Sequence, residues 1–216
     1  MTIQNSNITI VDYGMGNLFS VAKGLENCGA TVTITDSPEL IVNADRLILP
    51  GVGSYASGMK ELHKRNLIDS LKKFSESERP FMGICLGMQM MLSWSQEFGK
   101  CDGLNFIPGK VVEIPKKQKD GTPHKIPHIG WNEIFPTNKA EWNSNILIDV
   151  KPKSSVYFVH SFMAKPDNKD HIIANCSYNG QIITSIIHSN NLYGCQFHPE
   201  KSGIIGLKIL ENFCNV

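Results

Sequence analysis

Pro80-Phe81-Met82-Gly83-Ile84-Cys85-Leu86-Gly87-Met88-Gln89-Met90-Met91-Leu92 is the stretch on which the fold turns. An apolar run ends in Gly83-Ile84-Cys85-Leu86-Gly87 and continues with helix-forming residues, which reads as a strand, a sharp turn and a helix. Glycines two before and two after Cys85 suit such an elbow, because a side chain at either place would collide where the chain folds back on itself. Cys85 stands at the tip, just ahead of a helix N-terminus whose free N–H groups and dipole favour negative charge on sulfur. The backbone N–H of Leu86, directly after the nucleophile, is then a candidate donor to an oxyanion.

On the N-terminal side the chain alternates strands with helices. Residues 8–13 (ITIVDY) form a β-rich run, Gly14-Met15-Gly16-Asn17 a loop, and the following LFSVAKGLENC a helix stopped by Gly29. The pair Gly14 and Gly16 suggests a dinucleotide fingerprint, but its third position is Phe19, so no nucleotide cofactor is expected. Residues 31–35 (TVTIT) and 46–51 (RLILPG) are two more strands, the first leaving through Asp36-Ser37-Pro38. Apolar residues at Met59, Leu62, Ile68, Leu71 and Phe74 predict one surface helix across that segment. Such alternation implies parallel pairing, right-handed crossovers and a ligand at the C-terminal ends of the strands, where Cys85 lies.

Beyond Trp94 the pattern changes. VVEIP, HIGWNEIF, ILIDV, SVYFVHSF, IIANCSY, QIITSIIH and LYGCQFH are strand-like pieces separated by Gly, Pro, Asn and Lys clusters. The polar run at 116–125 (KKQKDGTPHK) reads as a solvated, mobile loop, and SGIIGLKILENF as a closing amphipathic helix. The expected fold class is therefore α/β. It has three layers, a mostly parallel central sheet with the nucleophile elbow, and a more antiparallel, β-rich second half, all in one domain spanning 1–216.

Composition excludes several classes. With 216 residues and 41% hydrophobic content there is enough for one sizeable core, and 21 basic against 20 acidic side chains leave a formal charge of +1. No global field draws the chain to nucleic acid or anionic lipid. No apolar run approaches a membrane span, and the opening MTIQNSNITIVDYG lacks a basic, signal-type segment, so a cytoplasmic protein is expected. The six cysteines show neither C-x-x-C pairs nor compact spacing, so reduced thiols are expected, with no zinc site. His124 and His128 are four apart but flanked by Pro123 and Pro127, which argues against a helix presenting both to a metal.

A thiolate attacking a carboxamide needs a base that later protonates the leaving ammonia, and a group that orients the base. His198 and Glu200 supply that pair. They end the LYGCQFH run with only Pro199 between them, and strand geometry would point both to one face.

Here the chain resembles the class I, triad-type glutamine amidotransferases, and within them most of all the glutaminase subunits of imidazole glycerol phosphate synthase. DYGMGNL at 12–18, LPGVG at 49–53, GICLGMQ at 83–89, PHIGWN at 127–132, YFVHSF at 157–162 and GCQFHPEKSG at 194–203 follow that family's blocks in order. The resemblance implies Cys85, His198 and Glu200 as the triad, with Leu86 and the backbone of Val52 and Gly53 as oxyanion donors. It further implies that Gln89, Ser161, Phe162 and Gly51 hold L-glutamine, with no cofactor. The implied partner is a separate (β/α)₈ cyclase subunit in a heterodimer, using the ammonia to make imidazole glycerol phosphate and AICAR. Two departures stand out: Phe19 where the family often has Arg, and His160-Ser161-Phe162-Met163 in place of an HSYY-like block. Three readings stay open beside this one: a paralogous subunit feeding a sugar amidotransferase for surface glycans, a stand-alone thiol hydrolase, and a binding domain without activity.

Overall fold

The computed structural model describes residues 6–137, 142 and 145–216. The first five residues of the N-terminal stretch lie outside the described residues. The chain runs β1 (Asn7–Val11), α1 (Leu18–Asn27), β2 (Thr31–Thr35), α2 (Pro38–Val42), β3 (Leu47–Leu49), α3 (Tyr55–Lys64), α4 (Ile68–Ser75), β4 (Phe81–Ile84) and α5 (Leu86–Met90). It continues β5 (Leu92–Ser95), β6 (Cys101–Asp102), β7 (Ile107–Glu113), β8 (His128–Pro136), β9 (Ser154–His160), β10 (Phe162–Pro166), β11 (Ile172–Tyr178), β12 (Gln181–Ser189), β13 (Leu192–Cys195) and α6 (Gly203–Cys214).

A nine-stranded sheet has the order β2-β1-β3-β4-β13-β12-β11-β8-β9. Its pairings from β2 through β13 are parallel, and those from β13 to β9 are antiparallel. A second sheet of four strands, β10-β7-β5-β6, stands beside it. Both the parallel part and the antiparallel second half agree with the sequence reading.

The parallel strands alternate between two cores, as a sheet covered on both faces requires. Ile8, Ile10, Ile48, Met82 and Ile84 point to the side of Val21 and Leu25 on α1 and of Leu210 and Phe213 on α6. Val11, Leu47, Leu49 and Phe81 point to the other side, against Met59 and Leu62 of α3 and Leu71 and Phe74 of α4.

The elbow sits at the C-terminal end of β4, in the middle of this sheet. Cys85 has φ 54° and ψ −108°, a left-handed backbone rare for a residue with a side chain. The glycines on either side are demanded by contact. A Cβ on Gly87 would lie 1.7 Å from the Leu49 carbonyl oxygen, and one on Gly83 2.6 Å from the Met88 nitrogen.

Four local expectations are corrected. The helix predicted over 59–74 is two helices, because Asn66 reverses the chain at φ 58° and the Leu67 N–H returns to the Leu62 carbonyl. The connection at Asp36-Ser37-Pro38 opens α2, with Ser37 as its cap and Pro38 in its first turn. The elbow helix ends at Met90, and Leu92–Ser95 leaves it as a strand of the second sheet. ILIDV is a 3₁₀ turn over Asn145–Leu147 followed by Asp149 at φ 62°, and its apolar residues Ile146, Leu147 and Val150 are buried as loop side chains. The run at 116–125 is largely exposed, and its turn is closed by the Gln118 N–H donating to the Thr122 carbonyl. Among the described residues no helix is long and apolar enough to cross a membrane.

Gly87→Ala should therefore destabilise the fold by roughly 3 kcal/mol or more, since backbone and not a flexible side chain fills the space. Urea unfolding measures this. A midpoint equal to that of the parent would show that the elbow is not so tightly packed.

Candidate active site

β4 and β13 are neighbours in parallel register, with Ile84 opposite Cys195. Their C-terminal ends therefore deliver Cys85 and the His198 turn to the same place. The Cys85 N–H donates to the Cys195 carbonyl at 2.7 Å, which fixes the tip of the elbow against the next strand. After Cys195 the chain leaves the sheet. His198 caps a 3₁₀ turn over Pro199–Lys201, so its alignment with Glu200 comes from a turn and not from strand alternation as expected. Pro199 has no N–H with which to continue a ladder.

His198 Nδ1 lies 2.8 Å from Glu200 Oε1, and both side chains are almost fully buried, at 3% and 1% exposure. Burial opposes charge on the ring. The Cys85 and Glu200 side chains on either side of it outweigh burial and raise the imidazole from 6.5 to about 10. Among the described residues Nε2 has no hydrogen bond of normal geometry, which leaves it open toward the sulfur.

Cys85, Leu86, His198, Val52, Gly53, Gln89, Ser161 and Phe162 line one cavity of about 360 Å³. Of the residues implied by resemblance, Gly51 stands behind this lining. Its carbonyl accepts the Leu86 N–H at 3.4 Å, so that N–H is directed at protein oxygen. The Gln89 amide donates to the Phe162 carbonyl at 2.9 Å and to Gln196 Oε1 at 3.0 Å.

Four more side chains belong here that the sequence did not single out by role. Gln196 is fully buried, and its amide points at the Cys85 sulfur, 3.7 Å away. Glu97 lines the cavity, and its Oε2 accepts the Tyr55 N–H at the start of α3. His160 Nδ1–H donates to the Phe162 carbonyl, which leaves its Nε2 to accept from His128 Nδ1 at 3.1 Å. Burial foremost, with His128 and His198 nearby, holds His160 down at about 3, and burial holds His128 at about 4. Both rings are thus neutral at pH 7. Gln196 and His160 stand inside blocks quoted above, but nothing in their spacing marks their direction.

All six cysteines are free thiols, and among the described residues no group of three His, Cys, Asp or Glu side chains is placed to hold a metal ion.

Comparison with known proteins places these features in a family. The sequence model of glutamine amidotransferase class-I matches residues 9–216. Imidazole glycerol phosphate synthase subunit HisH 1 of Legionella pneumophila (strain Paris) is 52% identical, covering 98% of this chain and 100% of that protein. The subunit HisH of Geobacter sulfurreducens is 40% identical, covering 96% and 98%. Among solved structures, a glutamine amidotransferase superposes with TM-score 0.71 at 13% identity over 96% of this chain and 99% of the other. PurLQS from Thermotoga maritima gives 0.68 at 17% identity over 98% and 99%. At such identities the structural matches speak to the fold alone.

The raised pKa of His198 has a consequence for stability. A cation favoured in the folded state stabilises fully below the ring's ordinary 6.5, and that contribution is lost as pH rises through about 10. The urea midpoint of the parent should therefore fall between neutral pH and about pH 10, and fall less in Glu200→Gln. Parallel profiles for the two proteins would mean that the carboxylate does not hold the imidazolium.

Proposed function

The chain belongs to the class I glutamine amidotransferase family, and from that premise we propose that it is the glutaminase subunit of an imidazole glycerol phosphate synthase, acting in histidine biosynthesis. The observation that carries this reading is the meeting of the Cys85 elbow with the buried His198–Glu200 pair at one cavity.

Cys85 Sγ attacks the side-chain carbonyl of L-glutamine and a tetrahedral oxyanion forms. The C–N bond then breaks as His198 passes a proton to the leaving ammonia, and a γ-glutamyl thioester remains on Cys85. Water, giving a proton to His198, attacks the thioester and releases glutamate. Glu200 keeps the imidazole oriented and stabilises its cation throughout. Gln89, Ser161 and Phe162 hold the substrate, while Gly51, implied by resemblance to share that role, stands behind the lining and acts through the loop it opens. Glu97 supplies a carboxylate at the cavity wall that suits the α-ammonium of glutamine. No cofactor is required for any of these steps.

The oxyanion donors are the N–H groups of Leu86, Val52 and Gly53. In the resting arrangement the Gly51 carbonyl occupies the Leu86 N–H. Rotation of the Gly51–Val52 peptide would remove that oxygen and turn the Val52 N–H into its place, and a glycine on one side keeps this rotation cheap. A missing donor of this kind is worth about a hundred- to a thousandfold in rate. The partner is a separate (β/α)₈ cyclase subunit forming a cytoplasmic heterodimer. Ammonia released into neutral water would be protonated and lose its nucleophilicity, so it passes directly to that subunit. Loading of the partner with its acceptor is what turns the peptide.

Glutamate release by the isolated chain should be slow and should rise by about two to three orders of magnitude with the ligand-loaded synthase subunit. Cys85→Ala should release none. His198→Ala should lose more than Glu200→Ala, since the carboxylate transfers no proton to substrate. Equal rates with and without the partner would return the stand-alone thiol hydrolase to first place, and turnover by Cys85→Ala would remove the nucleophile.

A further inference from the structure

Tyr13 is a fully buried polar residue that the mechanism above leaves without a role. It stands two residues beyond β1, at the entry to the glycine loop, and its hydroxyl donates to the Pro50 carbonyl at 2.8 Å across 37 residues of sequence. A Cβ built on Gly51 would lie only 2.3 Å from that oxygen. The tyrosine hydroxyl thus occupies the space a side chain at Gly51 would need. The phenol is also close enough to Cys85 to be pushed upward by negative charge there, on top of the larger effect of its burial.

The surroundings decide what this contact can do. Gly51 is enclosed by Tyr13 on one side and, on another, by Leu86 and Gly87, whose Cβ and nitrogen are 3.0 and 3.2 Å from its Cβ position. The glycine loop completes the enclosure, since Gly16 would bring a Cβ to 3.6 Å from the Gly51 Cα. Val52, by contrast, is 42% exposed, and Gly53 has φ 100°. The loop is therefore held at Pro50 and Gly51 and open from Val52 onward.

We infer that Tyr13 is a positioning residue, whose hydroxyl holds the Pro50–Gly51 peptide as the fixed end about which the Gly51–Val52 peptide turns. A single peptide turns like a crankshaft when ψ of the residue before it and φ of the residue after it change in opposite senses, leaving both flanking peptides in place. The Tyr13 to Pro50 hydrogen bond survives that motion. Its contribution is to confine the rotation to one peptide, so that the Val52 N–H arrives within hydrogen-bond distance of the oxyanion, where a few tenths of an ångström matter. Without the hydroxyl the Pro50 carbonyl loses this buried donor and the Pro50–Gly51 peptide can turn as well. This inference rests on the peptide rotation proposed above.

The test is Tyr13→Phe, which removes one oxygen and keeps the ring that packs the core. Glutamine turnover is measured in the complex with the ligand-loaded synthase subunit, alongside the parent protein and with the alkylation of Cys85 by iodoacetamide. The donor is misplaced and not absent, so kcat should fall about tenfold, less than the loss for a deleted oxyanion donor. KM for glutamine and the alkylation rate should stay within about twofold, because neither uses the oxyanion donors. Parent-like kcat, or a loss confined to KM, overturns the role of Tyr13 while leaving the glutaminase reading intact. Failure of the parent complex itself to hydrolyse glutamine takes down both.

Discussion

Nothing projects from Gly87 toward the Leu49 carbonyl, and on that gap the rest of the site depends. It lets α5 close directly over β3, which forces the left-handed backbone at Cys85 and lifts the sulfur out of the sheet. A non-glycine residue held this way costs on the order of 1–3 kcal/mol and persists only where packing over-determines it. Here the determinants are the Leu49 carbonyl against Gly87, the Met88 backbone and the Met91 sulfur against Gly83, and the Cys195 carbonyl accepting the Cys85 N–H. Parallel register between β4 and β13 then carries the His198 turn to the same end of the sheet.

Electrostatics in the site are arranged around one cation. His198 gains charge from Glu200 and Cys85 in spite of its burial, while burial foremost keeps His160 and His128 neutral, with His128 and His198 adding to the effect on His160 and His124 to that on His128. The neutral pair uses its fixed tautomers to orient the Phe162 carbonyl, to which Gln89 also donates. A second imidazolium beside His198 would compete with it for the same carboxylate. The division of labour follows from partners: His198 has a carboxylate on Nδ1, and His160 has only a backbone carbonyl.

Much of this was legible from residues with a local cause. The elbow follows from Gly83, Cys85 and Gly87, and the two-faced parallel sheet from the short apolar runs that alternate with helices. What stayed hidden is tertiary. The break between α3 and α4 hangs on Asn66 accepting a left-handed turn, against an apolar spacing that runs through it undisturbed. The 3₁₀ turn at Asn145–Leu147 buries the same apolar residues a strand would, so their pattern could not separate the two. Proximity in sequence pairs His198 with Glu200, but a 3₁₀ turn and not strand alternation unites them. Glu97, Gln196 and Tyr13 enter through contacts across 42, 111 and 37 residues, which no spacing reveals.

The central claim is that glutamine chemistry passes through a covalent bond to Cys85. Rapid acid quenching of the ligand-loaded complex during turnover of L-glutamine, followed by peptide mapping and mass measurement, tests it most directly. The account predicts one added glutamyl group, labile to hydroxylamine, on the peptide that carries Cys85 and on none of the other five cysteines. Turnover with no adduct on that peptide, or with the adduct on another cysteine, would contradict it.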